Sequence, residues 1–489
     1  MNKYEVGVIT DSEIGCNFAR RLKGNGYSCV LYNTGLERMS RGEINNYVSD
    51  MHQEEILTTT SVEIMLNLLK KTRRIFIVSQ SKLYADTVLQ ELYEFSEAND
   101  IIIDTCDADY NITTARCRLF EKKDVSYLGV GFSGEAAGGS SISLMVGGSR
   151  DAYDEIRDLL KDQSSKFAGQ ECCAYVGPDG AGQYVKMIHN GIEYGIMQSI
   201  CESISLLEHV ADFDNNIILE TFGEWSIGEN ESFLMQIAYE ILTKNDSATG
   251  ELFKNTVSDK VGNGKSVLWL CESAAELSEP VPSIYASLNN RFLSGLKKER
   301  TSYSDLIAKE KSNIVLKQRE RKTFVTDIKN ALYLSLICVH AQAFNLLRRK
   351  SSVGIWGTSA LDVAITFQGG AYIRSRLLSR IIDAYKNKPD LKNLLEDGYF
   401  ISTVKRYLPS LQNVIIKAAE GGVSIPVMSS ALTYLFALSE ETMNTSIIEL
   451  MRDYVQGTGF ELRNSPKEKY STDWKNVANS VSVVEMKNK

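Results

Sequence analysis

The sequence predicts an α/β domain with a mostly parallel sheet, followed by a large all-α domain and a polar C-terminal tail. Three observations carry this. The first third alternates short apolar runs with helical patterns, as βαβ units do. From about Gln183 to Met451 the chain reads as predominantly helical. From Gly457 to Lys489 it is polar and poorly periodic, which taken alone reads as a flexible tail.

Tyr4 to Ile9 is the first strand, Thr10 to Gly15 a loop, and Cys16 to Asn25 a helix. Ser28 to Tyr32 is the second strand, completing the opening of a Rossmann-type nucleotide-binding unit. Further strands are expected at Arg74–Val78, Ile101–Asp104, Ser126–Gly129 and Ser143–Gly147, with helices between them.

The first loop, Thr10-Asp11-Ser12-Glu13-Ile14-Gly15, is poor in glycine. A dinucleotide-binding turn wants small residues, so that backbone amides approach a pyrophosphate. Here only Gly15 fits, and Asp11 and Glu13 stand where the anion would lie, so like charges would repel. After the second strand, Tyr32-Asn33-Thr34 offers neither an acid for a ribose hydroxyl nor an arginine for a 2′-phosphate. The fold and the binding of a dinucleotide are therefore separate expectations.

The turn Gly177 to Gly182 reads as a break before a helix running from Gln183 to about Val210. At about 100° per residue, Lys186, His189, Asn190 and Glu193 share one face. A lysine in a dry cleft serves as a base, and a carboxyl two turns away, if buried, as an acid. From spacing alone the simpler reading is a solvated face with i,i+3 and i,i+4 pairs.

Nine cysteines without metal spacing, including Cys172-Cys173, read as reduced thiols, and the four histidines show no metal site. A net charge of −8 gives no support for nucleic acid or an anionic membrane as partner. The N-terminus lacks a signal-peptide core. Ala331 to Leu347, interrupted by Ser335, His340, Gln342 and Asn345, reads as a buried helix and not a membrane span. The expected location is cytoplasmic. Arg374, Arg376 and Arg380 read as partners of acidic neighbours.

Several segments together resemble the 6-phosphogluconate dehydrogenase family across the whole chain. They are Ile101-Ile102-Ile103-Asp104, Gly131-Phe132-Ser133-Gly134, Ser143 to Gly148, Lys186 to Tyr194, Arg291-Phe292-Leu293-Ser294, Gly369 to Arg376 and Arg452-Asp453-Tyr454. The resemblance implies a Rossmann-like nucleotide-binding domain at 1–180, a helical dimerisation and substrate domain at 181–451, and a tail at 452–489 that inserts into the partner of a homodimer. It implies oxidation of C3 of 6-phosphogluconate by NADP with loss of CO₂. By position, Lys186 resembles the general base and Glu193 the general acid. His189, Asn190, Ser133 and Gly134 resemble the groups that hold hydroxyls and carboxylate. Tyr194, Arg291 and Arg452 resemble a phosphate clamp, Arg452 reaching in from the partner. Thr10, Ser12, Gly15, Asn33, Thr34, Val78 and Asp107 occupy the cofactor positions.

This chain departs from the family's pattern at several of them. Asp11 and Glu13 enter the first loop, Thr34 stands in place of the 2′-phosphate arginine, and Val78-Ser79-Gln80-Ser81 replaces Val-Lys-Ala-Gly. Asp107, between nicotinamide and substrate positions, replaces an amide. Val261-Gly262-Asn263-Gly264-Lys265 moves a phosphate-facing lysine, for which Lys260 would compensate, and no histidine follows Tyr454 in the tail. Two readings stay open. One is a divergent dehydrogenase acting on 6-phosphogluconate or a related phosphorylated 3-hydroxy acid. The other is an inactive homologue that binds a sugar phosphate as a regulatory or structural partner.

Overall fold

The computed structural model describes residues 4–35, 40–79, 82–134, 141–262, 264–306, 316–474 and 483–485. Gln80, Ser81 and Asn263, named above, lie outside the described residues, as do 475–482 and 486–489 of the tail.

The N-terminal strands are β1 (Val6–Thr10), β2 (Cys29–Asn33), β3 (Leu57–Thr59), β4 (Arg74–Val78), β5 (Ile101–Asp104), β6 (Ser126–Gly134) and β7 (Ile142–Gly148). A two-residue pair, β8 (Lys166–Phe167) with β9 (Gln170–Glu171), and then β10 (Cys173–Gly177) complete this part. Between the strands run α1 (Glu13–Gly24), α2 (Arg41–Gln53), α3 (Val62–Leu68), α4 (Lys82–Phe95), α5 (Tyr110–Glu121) and α6 (Arg150–Gln163). Eight strands form one sheet in the order β10-β7-β6-β5-β4-β1-β2-β3. Neighbours are parallel except β6 and β7, which pair antiparallel. The strand order reverses between β1 and β4, and a crevice opens there at the strands' carboxyl ends. The inner strands are buried on both faces, which explains their continuous apolar runs. One core packs Phe18, Leu22, Phe76 and Leu128 on one side of the sheet, and another packs Met65, Ile75, Ile102 and Phe120 on the other.

The helical part holds α7 (Ala181–His209), α8 (Asn215–Trp225), α9 (Phe233–Leu242), α10 (Phe253–Thr256), α11 (Ser266–Glu276), α12 (Pro282–Gly295) and α13 (Lys297–Leu306). Then follow α14 (Gln318–Gly354), α15 (Ala360–Thr366), α16 (Arg376–Asn387), α17 (Gly398–Glu420) and α18 (Pro426–Ser439). The expected core helix is α14, whose apolar stretch is long enough to cross a membrane but is 94% buried within the protein. Arg376 and Arg380 lie near Glu231 and Asp383, at 3.8 and 3.9 Å. Arg374 also stacks its guanidinium on the Phe233 ring at 3.4 Å. All nine cysteines are free thiols.

Compact units divide at Leu432 and Thr433, so α18 carries the chain from one to the other. The second contains α19 (Ser446–Gln456) and the antiparallel strands β11 (Phe460–Leu462), β12 (Ser465–Thr472) and β13 (Val483–Glu485). Its polar composition hides an internal anchor. Buried Asp453 accepts from the Gly459 amide at 2.7 Å and the Trp474 indole at 2.8 Å.

What joins α7 to the sheet is an absence of side chains. A Cβ on Gly182 would lie 2.1 Å from the Gly129 carbonyl oxygen and 2.5 Å from that of Met145. One on Gly131 would meet the Gly182 carbonyl at 2.6 Å and the Lys186 Cβ at 2.7 Å. Helix backbone therefore rests on strand backbone, and the three atoms nearest a Cβ on Gly182 are all backbone, with no flexible side-chain end to give way. Gly182→Ala is expected to lower stability by about 3 kcal/mol, the upper range for overpacking. Thermal unfolding followed by circular dichroism would register it as a fall in Tm.

Candidate functional site

A cavity of about 320 Å³ opens at the carboxyl ends of the strands. Ile14, Val78, Ser79, Thr105, Asp107, Phe132, Ser133, Gly134, Lys186 and Tyr372 line it. Tyr372 donates its hydroxyl to the Gly134 carbonyl at 2.5 Å, closing one side. Lys186 comes from the first turns of α7, where the glycine contact presses the helix onto β6, and is 8% exposed.

Further along the same face the polar side chains bind one another. His189 is fully buried; its Nε2 meets the Ser133 hydroxyl at 3.3 Å and its Nδ1 the Asn190 Oδ1 at 3.1 Å. Burial, and then the nearby Lys186 charge, push the imidazole's pKa well below its ordinary value, so the ring is neutral. Asn190 Nδ2 donates to the Ser266 hydroxyl at 3.0 Å. Glu193 lies with Oε2 3.7 Å from His189 Nδ1, its side chain 20% exposed. Burial raises its pKa; Lys186 and Arg291 oppose that, and Asp107 adds to it.

Tyr194 accepts the Gly264 amide at 3.0 Å and carries the Arg291 guanidinium over its ring at 3.4 Å. Arg291 also donates to the Gly262 carbonyl at 3.0 Å, so it holds the 257–262 stretch that carries exposed Lys260. Arg452 belongs to the second unit, where it pairs with Glu449 at 2.9 Å. The structure thus brings together Lys186, His189, Asn190, Glu193, Ser133, Gly134, Asp107, Val78 and, beside them, Tyr194 with Arg291.

At the nucleotide end the sequence expectation changes. Glu13 turns along α1 to Arg20 at 2.8 Å, and Asp11 accepts the Ser79 hydroxyl at 2.7 Å. Both carboxylates are engaged by neighbours, which weakens the repulsion expected from the sequence. Thr10 and Asn33 are buried and work from behind the loops: Thr10 Oγ1 bonds the Ser12 amide at 3.1 Å, and Asn33 Oδ1 the Gly35 amide at 2.8 Å. Gly15 packs against Thr10, where a Cβ would come within 2.1 Å of Oγ1. Thr34 lies in the turn after β2. The start of α1 has no side-chain cap, and the buried Ser12 Oγ has no hydrogen-bond partner among the described residues. Uncapped helix amides and an unused hydroxyl suit an anionic pyrophosphate, so these residues fit a dinucleotide despite the missing glycines.

The family model for the 6-phosphogluconate dehydrogenase C-terminal domain matches residues 182–474, and that for the NAD binding domain of 6-phosphogluconate dehydrogenase matches 5–177. The NADP⁺-dependent, decarboxylating enzyme of Bacillus subtilis is 33% identical over 97% of this chain and 100% of its own length. The chain belongs to the 6-phosphogluconate dehydrogenase family. A decarboxylating relative from Staphylococcus aureus is 33% identical over 96% of this chain and 99% of its own. The solved 6-phosphogluconate dehydrogenase of Plasmodium falciparum superposes with a TM-score of 0.90 at 30% identity, covering 96% of this chain and 100% of that one. This chain is thus a 6-phosphogluconate dehydrogenase-like oxidoreductase, and its N-terminal domain is of the family's nicotinamide-cofactor-binding type.

Sequence reasoning within this family missed three supporting residues. Gln183 donates to the Cys106 and Val130 carbonyls at 3.0 and 3.2 Å, tying α7 to the strand ends. It shares the face of Lys186 and Asn190, so helical spacing held a signal for it. Ser266 and Tyr372 come from distant sequence and held none. The charge pattern also gives a sign. Asp107→Asn removes a charge that raises the Glu193 pKa, so that pKa is expected to fall. Lys186→Met removes one that lowers it, so the pKa is expected to rise. A ¹³C titration of the Glu193 carboxyl would read both directions.

Proposed function

We propose that this chain catalyses oxidative decarboxylation of 6-phosphogluconate, or of a related phosphorylated 3-hydroxy acid, with NADP. The observation that carries the reading is the pairing of Lys186, inside the cavity, with Glu193 seven residues on along the same buried helix face. Lys186 serves as the base that takes the proton of the C3 hydroxyl. Ser133 and the His189–Asn190 pair orient the ligand's hydroxyls and carboxylate. Glu193 keeps its proton more readily than a solvated glutamate, because burial raises its pKa, and so suits protonation of the enediol left when CO₂ departs, at the carbon that carried the carboxylate. Arg291 on Tyr194, with Lys260 two residues before the Gly262 that Arg291 holds, provides cations for a phosphate dianion. The start of α1, Ser12, Thr34 and the Val78–Ser79 end of β4 would hold NADP, which when bound would supply hydride acceptance.

The inactive-homologue reading leaned on repulsion at the nucleotide loop; Asp11 and Glu13 bound to Ser79 and Arg20 support the enzyme instead. A cytoplasmic homodimer with exchanged tails belongs to this proposal, as does a place in the pentose phosphate pathway. Its support is α19, which exposes Ile447, Ile448, Met451, Tyr454 and Val455 as one would expect of a helix that packs on another chain.

Purified protein with 6-phosphogluconate is expected to reduce NADP, and Lys186→Met to lower kcat at least about 100-fold, the scale of a lost general base. No turnover with either NADP or NAD would overturn the assignment. Lys186→Met and Arg452→Ala subunits, each inactive alone, are expected to regain activity when co-expressed. Only a mixed dimer pairs an intact lysine with an intact arginine from its partner. A failure to complement would argue against exchanged tails.

A further inference from the structure

Helix α11 lies along α7, and its first residues reach the polar face. Tyr184 meets Ser273 through their hydroxyls at 3.0 Å, Asn190 donates to Ser266 at 3.0 Å, and the Gly264 amide donates to Tyr194 at 3.0 Å. The residues ascend on one helix as they descend on the other, so the two run antiparallel. Gly191 makes the approach close: a Cβ there would sit 2.4 Å from Leu270 Cδ1. The middle contact ends a polar chain, from Ser133 through His189 and Asn190 to Ser266.

We propose that Ser266 is a positioning residue. By accepting from Asn190 Nδ2 it holds that amide with Oδ1 toward His189, and so fixes the imidazole tautomer and the direction of the Ser133 hydroxyl. The inference rests on the proposed function for its kinetic consequence, but its geometry stands independently.

Each link is set by donor and acceptor matching. An Asn190 oxygen 3.1 Å from Nδ1 requires the proton on Nδ1. The Glu193 carboxyl, 3.7 Å from the same nitrogen, is too far to share that proton, which leaves it to Asn190. Nε2 is then a lone pair, and the Ser133 hydroxyl donates to it. Ser133 therefore presents oxygen lone pairs to the cavity it lines, and its partner on the ligand is a donor, as a sugar hydroxyl is. With the amide reversed, Nδ1 would lose its acceptor, Nε2 would carry the proton and Ser133 would become the donor. The ring itself is sealed in, with Phe367 edge-on at 5.5 Å, so no solvent replaces a lost partner. A hydroxyl at position 266 accepts the Asn190 proton; a methyl does not.

The test combines ¹⁵N spectra of histidine-labelled protein with steady-state kinetics. The His189 signals are assigned by their loss in His189→Gln. Wild type is expected to hold the Nδ1–H tautomer. Ser266→Ala is expected to populate both tautomers and raise KM for 6-phosphogluconate about tenfold, the effect of one hydrogen bond, with KM for NADP unchanged. Ser266→Thr is expected to restore both readouts. An unaltered tautomer in Ser266→Ala, or a Thr variant as impaired as Ala, would overturn the proposal. Wild-type protein without turnover would instead overturn the proposed function, and the ¹⁵N spectra would still decide the role of Ser266.

Discussion

The contact of α7 with β6 and β7 is the constraint on which the site depends. Gly131, Gly147 and Gly182 bring helix and strand backbones together without intervening side chains. Lys186 thereby enters a cavity whose other walls are the ends of β4, β5 and β6. Gln183 adds two hydrogen bonds from the helix to the same strand ends. The domain of nicotinamide-cofactor-binding type and the helix that carries Lys186, His189 and Glu193 thus meet on one seam. Backbone on backbone has no rotamers to shift, so the seam has little compliance.

Much of the fold was legible because its signals are local. The inner strands declare themselves as apolar runs, and β4 and β5 fall at the residues expected. Helix α7 announces itself through its glycine turn and spacing, beginning two residues earlier than read. What local pattern hid was short or non-local. β3 is three residues long, β10 follows a two-residue hairpin, and neither has room for periodicity. The order of the tail depends on Asp453 reaching Gly459 and Trp474, contacts that composition does not encode.

The site divides along the same line. Lys186, His189, Asn190 and Glu193 were found by helical geometry, and the family resemblance gave them roles. Spacing alone would have left them as a solvated face, yet His189 is sealed from solvent and Lys186 nearly so. At the nucleotide loop the sequence showed the charges but not the neighbours that engage them. Glu13 and Asp11 are acids in an anion's neighbourhood, but Arg20 lies seven residues on along α1 and Ser79 sixty-eight residues away. Repulsion depends on where a carboxylate points, and that is a tertiary fact.

The single helix shared by Lys186 and Glu193 has one more consequence. Seven residues of α-helix span about 10.5 Å of rise, and the two anchor points cannot approach each other without breaking it. The helix works as a ruler. Lysine's four-carbon stem has reach to spare, whereas the glutamate is short and lies against His189. Under the proposed roles, a ligand's length between its two proton-exchanging atoms is therefore accommodated by the lysine. A longer or shorter substrate would be met by a different lysine conformation, with the acid end left unmoved.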